Sequence, residues 1–230
     1  MSMNTDFQKY ASLSQGISPM TLGRYAGAVD AYLNPSIIEE RKLNATQISV
    51  FSRLFMERIL FLGSEINSDV ANIINSQILY LQTENPTKPI TMYINSPGGS
   101  VYDGMSIYDV CQYVTCPIAT TCCGTAASMA AVLLSSGDRG LRSALPHSQI
   151  MIHEPMGGVA PHTKCTDYLI EAEQMKKCKD MLIKVLADNA GMDIELMEQH
   201  CSRDKWLMPD ECTPGVFGTY GLIDTIIKKS

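Results

Sequence analysis

Basic clusters, long apolar runs and an apolar N-terminal signal are all absent from this sequence of 230 residues, whose formal net charge is −6. Proteins that bind nucleic acid usually present a basic patch, so this charge argues against a nucleic-acid partner. A membrane span needs roughly 20 apolar residues. A secretory signal needs an apolar core, which the polar segment from Met1 to about Ser18 lacks. We therefore expect a cytoplasmic protein with no membrane partner.

The eight cysteines include no Cys-x-x-Cys pair, the spacing found in many zinc and redox sites. Disulfides are rare in the reducing cytosol, so we predict free thiols that behave as small hydrophobic residues. His162 and Cys165 have a loose ligand spacing, but no second pair accompanies them, and we predict no metal. Hydrophobic residues make up 45% of the chain, which is enough to bury a core without a disulfide or a metal.

The residues before about position 44 differ from the rest, because they mix Ser, Asn, Gly and Tyr with weak hydrophobic periodicity. We predict a leader over residues 1–44 and a single domain over 45–230. In that domain short apolar runs alternate with helical patterns, which predicts an α/β fold with a parallel sheet covered by helices. The predicted strands are 58–62, 89–95, 118–123 and 149–153, and the predicted helices are 51–57, 68–82, 101–113 and 125–136.

Three helical patterns predict details that the structure can test. Apolar residues at helical spacing predict a buried face on helix 68–82. The residues of this face are Val70, Ile73, Ile74, Ile78 and Leu81. A long amphipathic pattern from Thr166 to about Asn189 exceeds the mean helix length of about 11–12 residues, so we expect part of it to project and pair with another chain. A last helix is predicted from Pro209 to Tyr220.

Ser128 follows a β-type run that we expect to end at Gly124, and it precedes an apolar helix. Backbone N–H groups and the dipole at a helix start stabilise a developing negative charge, which suits a nucleophile. A serine in this position is more often an N-cap, whose oxygen accepts a hydrogen bond from the helix. Both interpretations of Ser128 are open from this segment alone.

A serine nucleophile needs a base, a group that orients the base, and donors for the oxyanion. His153 is the favoured base, because it ends a predicted strand, where open α/β sheets place their sites. The other histidines fall in predicted loops or at a helix end; they are His147, His162 and His200. Spacing does not select the orienting aspartate, for which the candidates are Asp188, Asp193, Asp204 and Asp210. The Gly98–Gly99 turn also follows a strand and permits close backbone approach to a ligand.

Six motifs make the chain from about Leu33 to Ile227 resemble the proteolytic subunits of Clp proteases, the ClpP family. These motifs are Tyr93–Val101, Gly104–Asp109, Gly124–Met129, Ala144–Ser148, Met151–Gly158 and Arg203–Asp204. The resemblance implies a ClpP/crotonase-like α/β fold, a β-β-α spiral. It also implies a projecting handle, made of a helix and a strand, at about residues 154–189.

The resemblance implies a role for each residue of a serine-protease site. Ser128 is the nucleophile, His153 is the general base, and Asp204 orients His153. The backbone N–H groups of Gly99 and Met129 are the oxyanion donors. The chain itself is expected to need no cofactor, since ATP is used by the partner ATPase.

The resemblance also implies an assembly. Two heptameric rings stack as a tetradecamer, and an AAA+ ATPase of the ClpX, ClpA or ClpC type feeds unfolded proteins into it. There they are cleaved to short peptides. The leader matches the axial-pore region in part, and its N-terminal portion is expected to be a propeptide that the protein removes by self-cleavage.

The chain departs from the family pattern near the handle. Glu154 stands where a glutamine is usual, and a carboxylate there can raise the pKa of nearby groups. The stretch Val159–Cys165 is about two residues longer than usual, and Pro161 removes a backbone donor from the handle strand. Ser202 replaces a frequent acidic residue. We hypothesise that these changes weaken ring stacking or favour a different partner subunit.

Two other functions compete with an active serine endopeptidase. One is a ClpP-like subunit that is silent alone and works with a paralogous subunit, which the handle changes favour. The other is a crotonase-type acyl-CoA enzyme, which shares the fold and a two-N–H oxyanion hole. The serine, histidine and aspartate argue against it, because that chemistry needs no such nucleophile.

Overall fold

The structure is a computed structural model that describes residues 36–41, 44–158, 160, 162, 164–214 and 220–228. The chain divides into two compact units, Met1–Glu57 and Arg58–Ser230. The predicted leader lies outside the described residues except for 36–41 and 44, so its boundary stays a prediction. Within the described residues, no helix is both long and apolar enough to cross a bilayer.

The first unit contains a β-ladder and a short helix. Strands β1 (Ser36–Arg41) and β2 (Asn44–Ser49) pair antiparallel. Helix α1 (Val50–Met56) follows, and its N-cap Ser49 accepts a 3.0 Å hydrogen bond from the Ser52 N–H. The helix predicted over 51–57 is therefore confirmed within one residue at each end.

The second unit is built on a sheet of seven described strands. Their bounds are β3 (Ile59–Leu62), β4 (Ile90–Ser96), β5 (Ile118–Ala127), β6 (Arg142–Ala144), β7 (Gln149–Ile152), β8 (Lys205–Leu207) and β9 (Thr225–Ile226). The order is β3-β4-β5-β6-β9, while β7 pairs with β5 and β8 pairs with β7. All the pairs are parallel except β7 with β8. The predicted parallel α/β sheet is confirmed.

Helices connect and cover these strands. Their bounds are α2 (Ser68–Glu84), α3 (Val101–Tyr113), α4 (Met129–Ser135), α5 (Cys165–Ala190), α6 (Ile194–Cys201) and α7 (Pro209–Cys212). Asn67 caps α2 by accepting a 3.0 Å hydrogen bond from the Val70 N–H. Every residue of α4 is buried, so this helix is the centre of the core behind Ser128.

The buried face of α2 differs from the prediction at two positions, since Val70 is only half-buried and Ile73 is exposed. Ile74, Ile78 and Leu81 are buried as predicted, but Ile73 is 58% exposed. Successive helical residues are about 100° apart. Because Ile74 faces the core together with Ala71, its neighbour Ile73 is turned toward the outside.

Strand β5 extends beyond Gly124, so the predictions that the strand ends there and that a helix starts at Thr125 are wrong. Residues Thr125–Ala127 pair with Gln149–Met151 of β7. The Thr125 N–H also donates to the Asn95 side-chain oxygen at 3.0 Å. A Cβ at Gly124 would overlap that same Asn95 side chain, which explains the glycine. Pairing with a neighbouring strand has overridden the local helical preference.

The last predicted helix is also wrong in its length. Helix α7 ends at Cys212, and Thr213 is already extended. Strands β6, β8 and β9 were not predicted, since two or three residues are too few to show periodicity. The long helix is confirmed as α5.

A buried ion pair joins strand β6 to the C-terminal part of the chain. Arg142 is 3% exposed, and its Nε and Nη2 donate to the two Asp224 carboxylate oxygens at 3.0 and 2.6 Å. Arg142 Nη1 also donates to the Asn189 carbonyl at the end of α5, at 2.8 Å. The Gly140 N–H donates to Asp224 at 2.7 Å. This pair therefore ties α5, β6 and the segment before β9 together.

We expect Asp224→Asn to lower the free energy of unfolding by about 3 kcal/mol at pH 7, because it leaves the buried Arg142 charge unpaired. Burial raises the pKa of the Asp224 carboxyl, but the hydrogen bonds and charge of Arg142 outweigh burial, and the net pKa lies below its ordinary value. A lowered folded-state pKa stabilises the fold above the unfolded-state pKa, and this contribution is lost as pH falls through the folded-state value.

Denaturant unfolding of both proteins at one protein concentration, from pH 7 down to pH 3, measures this effect. The difference in free energy of unfolding between the wild type and Asp224→Asn should be largest at neutral pH and should shrink below about pH 4. Asp109→Asn removes the same charge from an exposed position on α3 and should change stability by less than about 0.5 kcal/mol. A difference independent of pH would contradict the prediction.

Candidate active site

Ser128 stands at the junction between β5 and α4 in a backbone conformation that is unusual for a serine. Its φ is 56° and its ψ is −124°. Such a positive φ costs of order 1–3 kcal/mol and persists where the surrounding structure enforces it. Here the Ser128 N–H donates to the Met151 carbonyl at 2.8 Å, and the Ser128 carbonyl accepts from the Ala131 N–H at 2.9 Å. The sharp turn is therefore held by β7 on one side and by α4 on the other.

The side chain of Ser128 does not cap α4. It occupies the N-cap position, yet its oxygen makes no hydrogen bond to the helix backbone. The Oγ atom instead lies 2.8 Å from His153 Nε2. Of the two interpretations of this serine, the structure therefore excludes the simple helix cap and leaves a hydroxyl paired with an imidazole.

His153 follows β7, and its ring lies between Ser128 and Asp204. Its side chain is 7% exposed. Nδ1 lies 2.9 Å from Asp204 Oδ1 on the side opposite Ser128. A carboxylate offers only acceptors, so Nδ1 carries a proton and donates it to Asp204. Nε2 is then free to accept the Ser128 Oγ–H.

Asp204 reaches His153 through strand pairing. It lies between α6 and β8, and β8 pairs antiparallel with β7 so that Lys205 is opposite Ile152. In an antiparallel pair the next residues along, His153 and Asp204, come opposite each other. The other candidate aspartates have different roles: Asp193 caps α6, the Asp188 carbonyl accepts from Arg139, and Asp210 is exposed in α7.

The Gly98–Gly99 turn lies against Ser128 and Met129. Gly98 has a φ of 93° and Gly99 a φ of 147°, which are conformations that favour glycine. A Cβ at Gly98 would come within 2.8 Å of the Ser128 Cβ and 3.0 Å of the Met129 nitrogen. Among the described residues, no acceptor is bonded to the N–H groups of Gly99 and Met129. Two free backbone donors therefore stand beside the Ser128 hydroxyl.

Ser96 holds this turn from inside, and sequence reasoning did not single it out. Its side chain is 1% exposed, donates to the Ser64 carbonyl at 2.6 Å, and accepts from the Gly98 N–H at 3.2 Å. The signal for Ser96 was its place in the Asn95–Gly99 turn, but a serine there is usually only a turn residue.

A cavity of about 460 Å³ opens beside Ser128. The Gly98–Gly99 turn, Met129 and His153 contribute to its wall. Most of the remaining wall is apolar and comes from Val101, Val132, Met151, Ile152, Leu182 and Leu186. The cavity can therefore hold an apolar side chain next to the hydroxyl, the imidazole and the two free N–H groups.

Glu154 belongs to an ion network that supports the loop after His153. Lys179 of α5 lies 3.0 Å from Glu154 and 2.9 Å from Glu198 of α6. The hydrogen bonds that Lys179 donates to Glu198 and Glu154 raise the pKa of Lys179. Burial, and then the Glu154 charge, raise the pKa of the Cys201 thiol to about 12. The prediction that Glu154 raises the pKa of nearby groups is therefore confirmed for these two residues.

The remaining histidines are not brought to Ser128. His147 is exposed and lines a separate cleft with Cys123. His162 is exposed as well. His200 lies with its Nδ1 3.3 Å from the Tyr220 hydroxyl, and burial followed by the Lys205 charge lowers its pKa. All eight cysteines are free, as predicted, although Cys165 is exposed and not part of the core.

The family model and the curated relatives that match this chain all belong to one kind of protein. A family model described as Clp protease matches residues 42–230. The ATP-dependent Clp protease proteolytic subunit of Porphyromonas gingivalis is 44% identical over 225 residues, which covers 98% of each chain. The proteins of the same name from Bacteroides fragilis and Bacteroides thetaiotaomicron are each 46% identical over 224 residues, covering 97% of this chain and 99% of theirs.

Proposed function

Because this chain belongs to the Clp protease family, we propose that it is a serine endopeptidase in which Ser128 is the nucleophile. Family membership establishes that the activity is that of a Clp protease proteolytic subunit, and the serine mechanism is the part that we propose. The observation that supports the serine mechanism is the position of His153, whose two ring nitrogens lie 2.8 Å from Ser128 Oγ and 2.9 Å from Asp204 Oδ1. The acyl-CoA alternative has no support in this family.

In the first half of the reaction, Ser128 Oγ attacks the carbonyl carbon of the peptide bond and His153 Nε2 takes the hydroxyl proton. The carbonyl oxygen becomes negatively charged and accepts hydrogen bonds from the N–H groups of Gly99 and Met129. Asp204 stabilises the imidazolium that forms. His153 then gives its proton to the leaving amine, the C–N bond breaks, and an acyl-enzyme remains.

In the second half, water takes the place of the amine. His153 removes a proton from the water as it attacks the acyl carbon, and the same two N–H groups bind the second oxyanion. The proton returns to Ser128 Oγ as the ester bond breaks and the carboxylic acid product leaves. No metal or cofactor of this chain takes part in these steps.

A fluorophosphonate probe tests the proposal on the unmodified protein. Ser128 Oγ forms a bond to phosphorus and fluoride leaves, so intact mass should show one adduct per chain, which peptide mapping should place on Ser128. Protein unfolded in urea retains the serine but loses the contact with His153, and it should not react. Labelling of a different residue, or equal labelling of the unfolded chain, would overturn the serine mechanism.

The proposal includes assembly, because half of α5 has little to pack against in the described chain. Leu169 is 67% exposed, Ile170 58% and Tyr168 46%, whereas Leu182 and Leu186 near the other end are buried. Exposed apolar residues on one helix commonly mark a contact with another chain. They support a handle that contacts another chain. The family resemblance adds the stacking of two heptameric rings and the delivery of unfolded protein by an AAA+ ATPase. Residence in the cytoplasm stays a prediction.

A second candidate is a mixed assembly with a paralogous subunit, and the changes near the handle favour it. Val159, Pro161 and Thr163 lie outside the described residues, and the described residues between Ile152 and Cys165 form no strand in the single chain. Ser202 is exposed, and its hydroxyl donates to the Gln199 carbonyl at 2.8 Å. Sedimentation of the pure protein over a range of salt concentrations tests this candidate, because a salt-resistant homotetradecamer would eliminate it.

A further inference from the structure

We infer that Glu65 gives this active site a preference for peptides that carry lysine or arginine close to the bond that is cut. The inference rests on the proposed function, since it concerns the substrate of the same cavity. It adds a charge preference to the apolar preference that the cavity wall indicates. Neighbouring residues fix the backbone of Glu65, no ion pair to its carboxylate is present within the described residues, and its side chain is exposed to the cavity where a peptide would lie.

The backbone around Glu65 is anchored to the oxyanion turn. The Ser64 carbonyl accepts from the buried Ser96 hydroxyl at 2.6 Å. The Ile66 N–H donates to the Gly98 carbonyl at 2.8 Å, and the Ser100 N–H donates to the Ile66 carbonyl at 2.9 Å. The backbone on both sides of Glu65 is therefore hydrogen-bonded to the turn beside Ser128.

The direction of the Glu65 side chain follows from that anchoring. Ile66 is 1% exposed and points into the core. In an extended segment, successive side chains point to opposite faces, so Glu65 points outward. It is exposed, and it contributes to the wall of the 460 Å³ cavity that also contains Ser128 and His153.

The Glu65 carboxylate forms no ion pair within the described residues. Among the described residues that line the cavity, Glu65 supplies the only carboxylate, and His153 is the only other ionisable side chain. In the part of the chain that the structure describes, no lysine or arginine forms an ion pair with Glu65. A substrate cation would meet an unpaired carboxylate beside an apolar wall.

Lysine and arginine suit this arrangement better than other residues. Their aliphatic stems can pack on the apolar wall while the charged group reaches the carboxylate. A partly enclosed ion pair is screened less by salt than one on an open surface. An acidic residue at the same position would be repelled. The expected substrate is therefore a peptide with an apolar residue at the cut bond and a basic residue nearby.

A set of quenched fluorescent peptides tests the inference on the assembled protein. All share one apolar residue at the cut bond, and a single lysine is placed in turn at each position from three residues before the bond to two residues after it. Matched peptides carry glutamine at that position. At one position at least, lysine should raise kcat/KM by roughly three- to tenfold over glutamine.

Variants connect the preference to one side chain. Glu65→Gln should abolish the lysine preference, so that the ratio of kcat/KM for matched lysine and glutamine peptides falls to about one, and Glu65→Lys should reverse the preference. Glu195→Gln removes the same charge from an exposed position on α6, outside the cavity, and should leave the preference intact. The preference of the wild-type protein should also decrease with added salt.

The outcomes separate this inference from the proposed function. If the neutral apolar peptide is cut but no position shows a preference that depends on Glu65, the inference is wrong and the serine mechanism stands. If no peptide is cut and the fluorophosphonate probe does not label Ser128, the proposed function fails first. A lysine preference that survives in Glu65→Gln also overturns the inference.

Discussion

Ser128→Ala is expected to lower kcat for hydrolysis of a short apolar peptide by roughly 10⁵- to 10⁶-fold. Alanine keeps the backbone and the volume of the site but removes the only oxygen that His153 Nε2 contacts in the structure. Without it, His153 has no proton to take, and no acyl-enzyme forms. The activity that remains comes from binding and from the two oxyanion donors, which by themselves accelerate the reaction over water.

Steady-state hydrolysis with purified Ser128→Ala measures this loss, and thermal unfolding shows whether the variant is folded. The alanine variant retains the positive φ of position 128, so its stability should stay close to that of the wild type. Ser106→Ala is a matched control, because it removes an exposed hydroxyl on α3 and should leave kcat within roughly twofold. Peptide hydrolysis that persists in Ser128→Ala would rule out the proposed nucleophile.

Asp204→Asn is expected to lower kcat by roughly 10³- to 10⁴-fold, while KM changes little. Asparagine can donate a hydrogen bond to Nδ1, which stabilises the tautomer that has its proton on Nε2. That tautomer cannot accept the Ser128 proton, and an amide does not stabilise the imidazolium. The Asp204 side chain is 62% exposed, so water partly replaces a missing carboxylate, and Asp204→Ala should lose less activity than Asp204→Asn.

Asp210→Asn is the control that sequence reasoning itself provides, because Asp210 was as plausible as Asp204 from spacing alone. It is exposed on α7, and its change should leave kcat within roughly twofold. The same assay used for Ser128→Ala compares the three aspartate variants. Equal effects of Asp204→Asn and Asp210→Asn would show that the contact with His153 does not orient the imidazole.

Much of the fold could be predicted from local pattern. Helix α3 has the predicted bounds of Val101–Tyr113, and α2 begins at Ser68, as predicted. The parallel sheet followed from the alternation of apolar runs and helical patterns. The misses included the short strands, the true end of β5 and the length of the last helix. The strands depend on hydrogen bonds to distant strands that local sequence does not report.

The candidate site likewise contains some residues that local sequence indicates and others that it does not. Ser128 and the Gly98–Gly99 turn are visible locally, because a small residue at a strand-to-helix junction and paired glycines have few structural alternatives. Asp204 was indicated only by the family resemblance, and Ser96 and Glu65 were not indicated at all. Their positions depend on contacts with residues that are far away in the chain or that look ordinary in sequence.

The chain alone specifies which residues can react and which segments are apolar enough to be buried, since these depend on the covalent side chain and its close neighbours. The meeting of Ser128, His153 and Asp204 depends instead on pairing across the sheet. His153 is 25 residues from Ser128 and 51 from Asp204. The β5–β7 and β7–β8 registers bring these residues within hydrogen-bond distance, because strand pairing satisfies backbone groups that a buried sheet cannot leave unpaired.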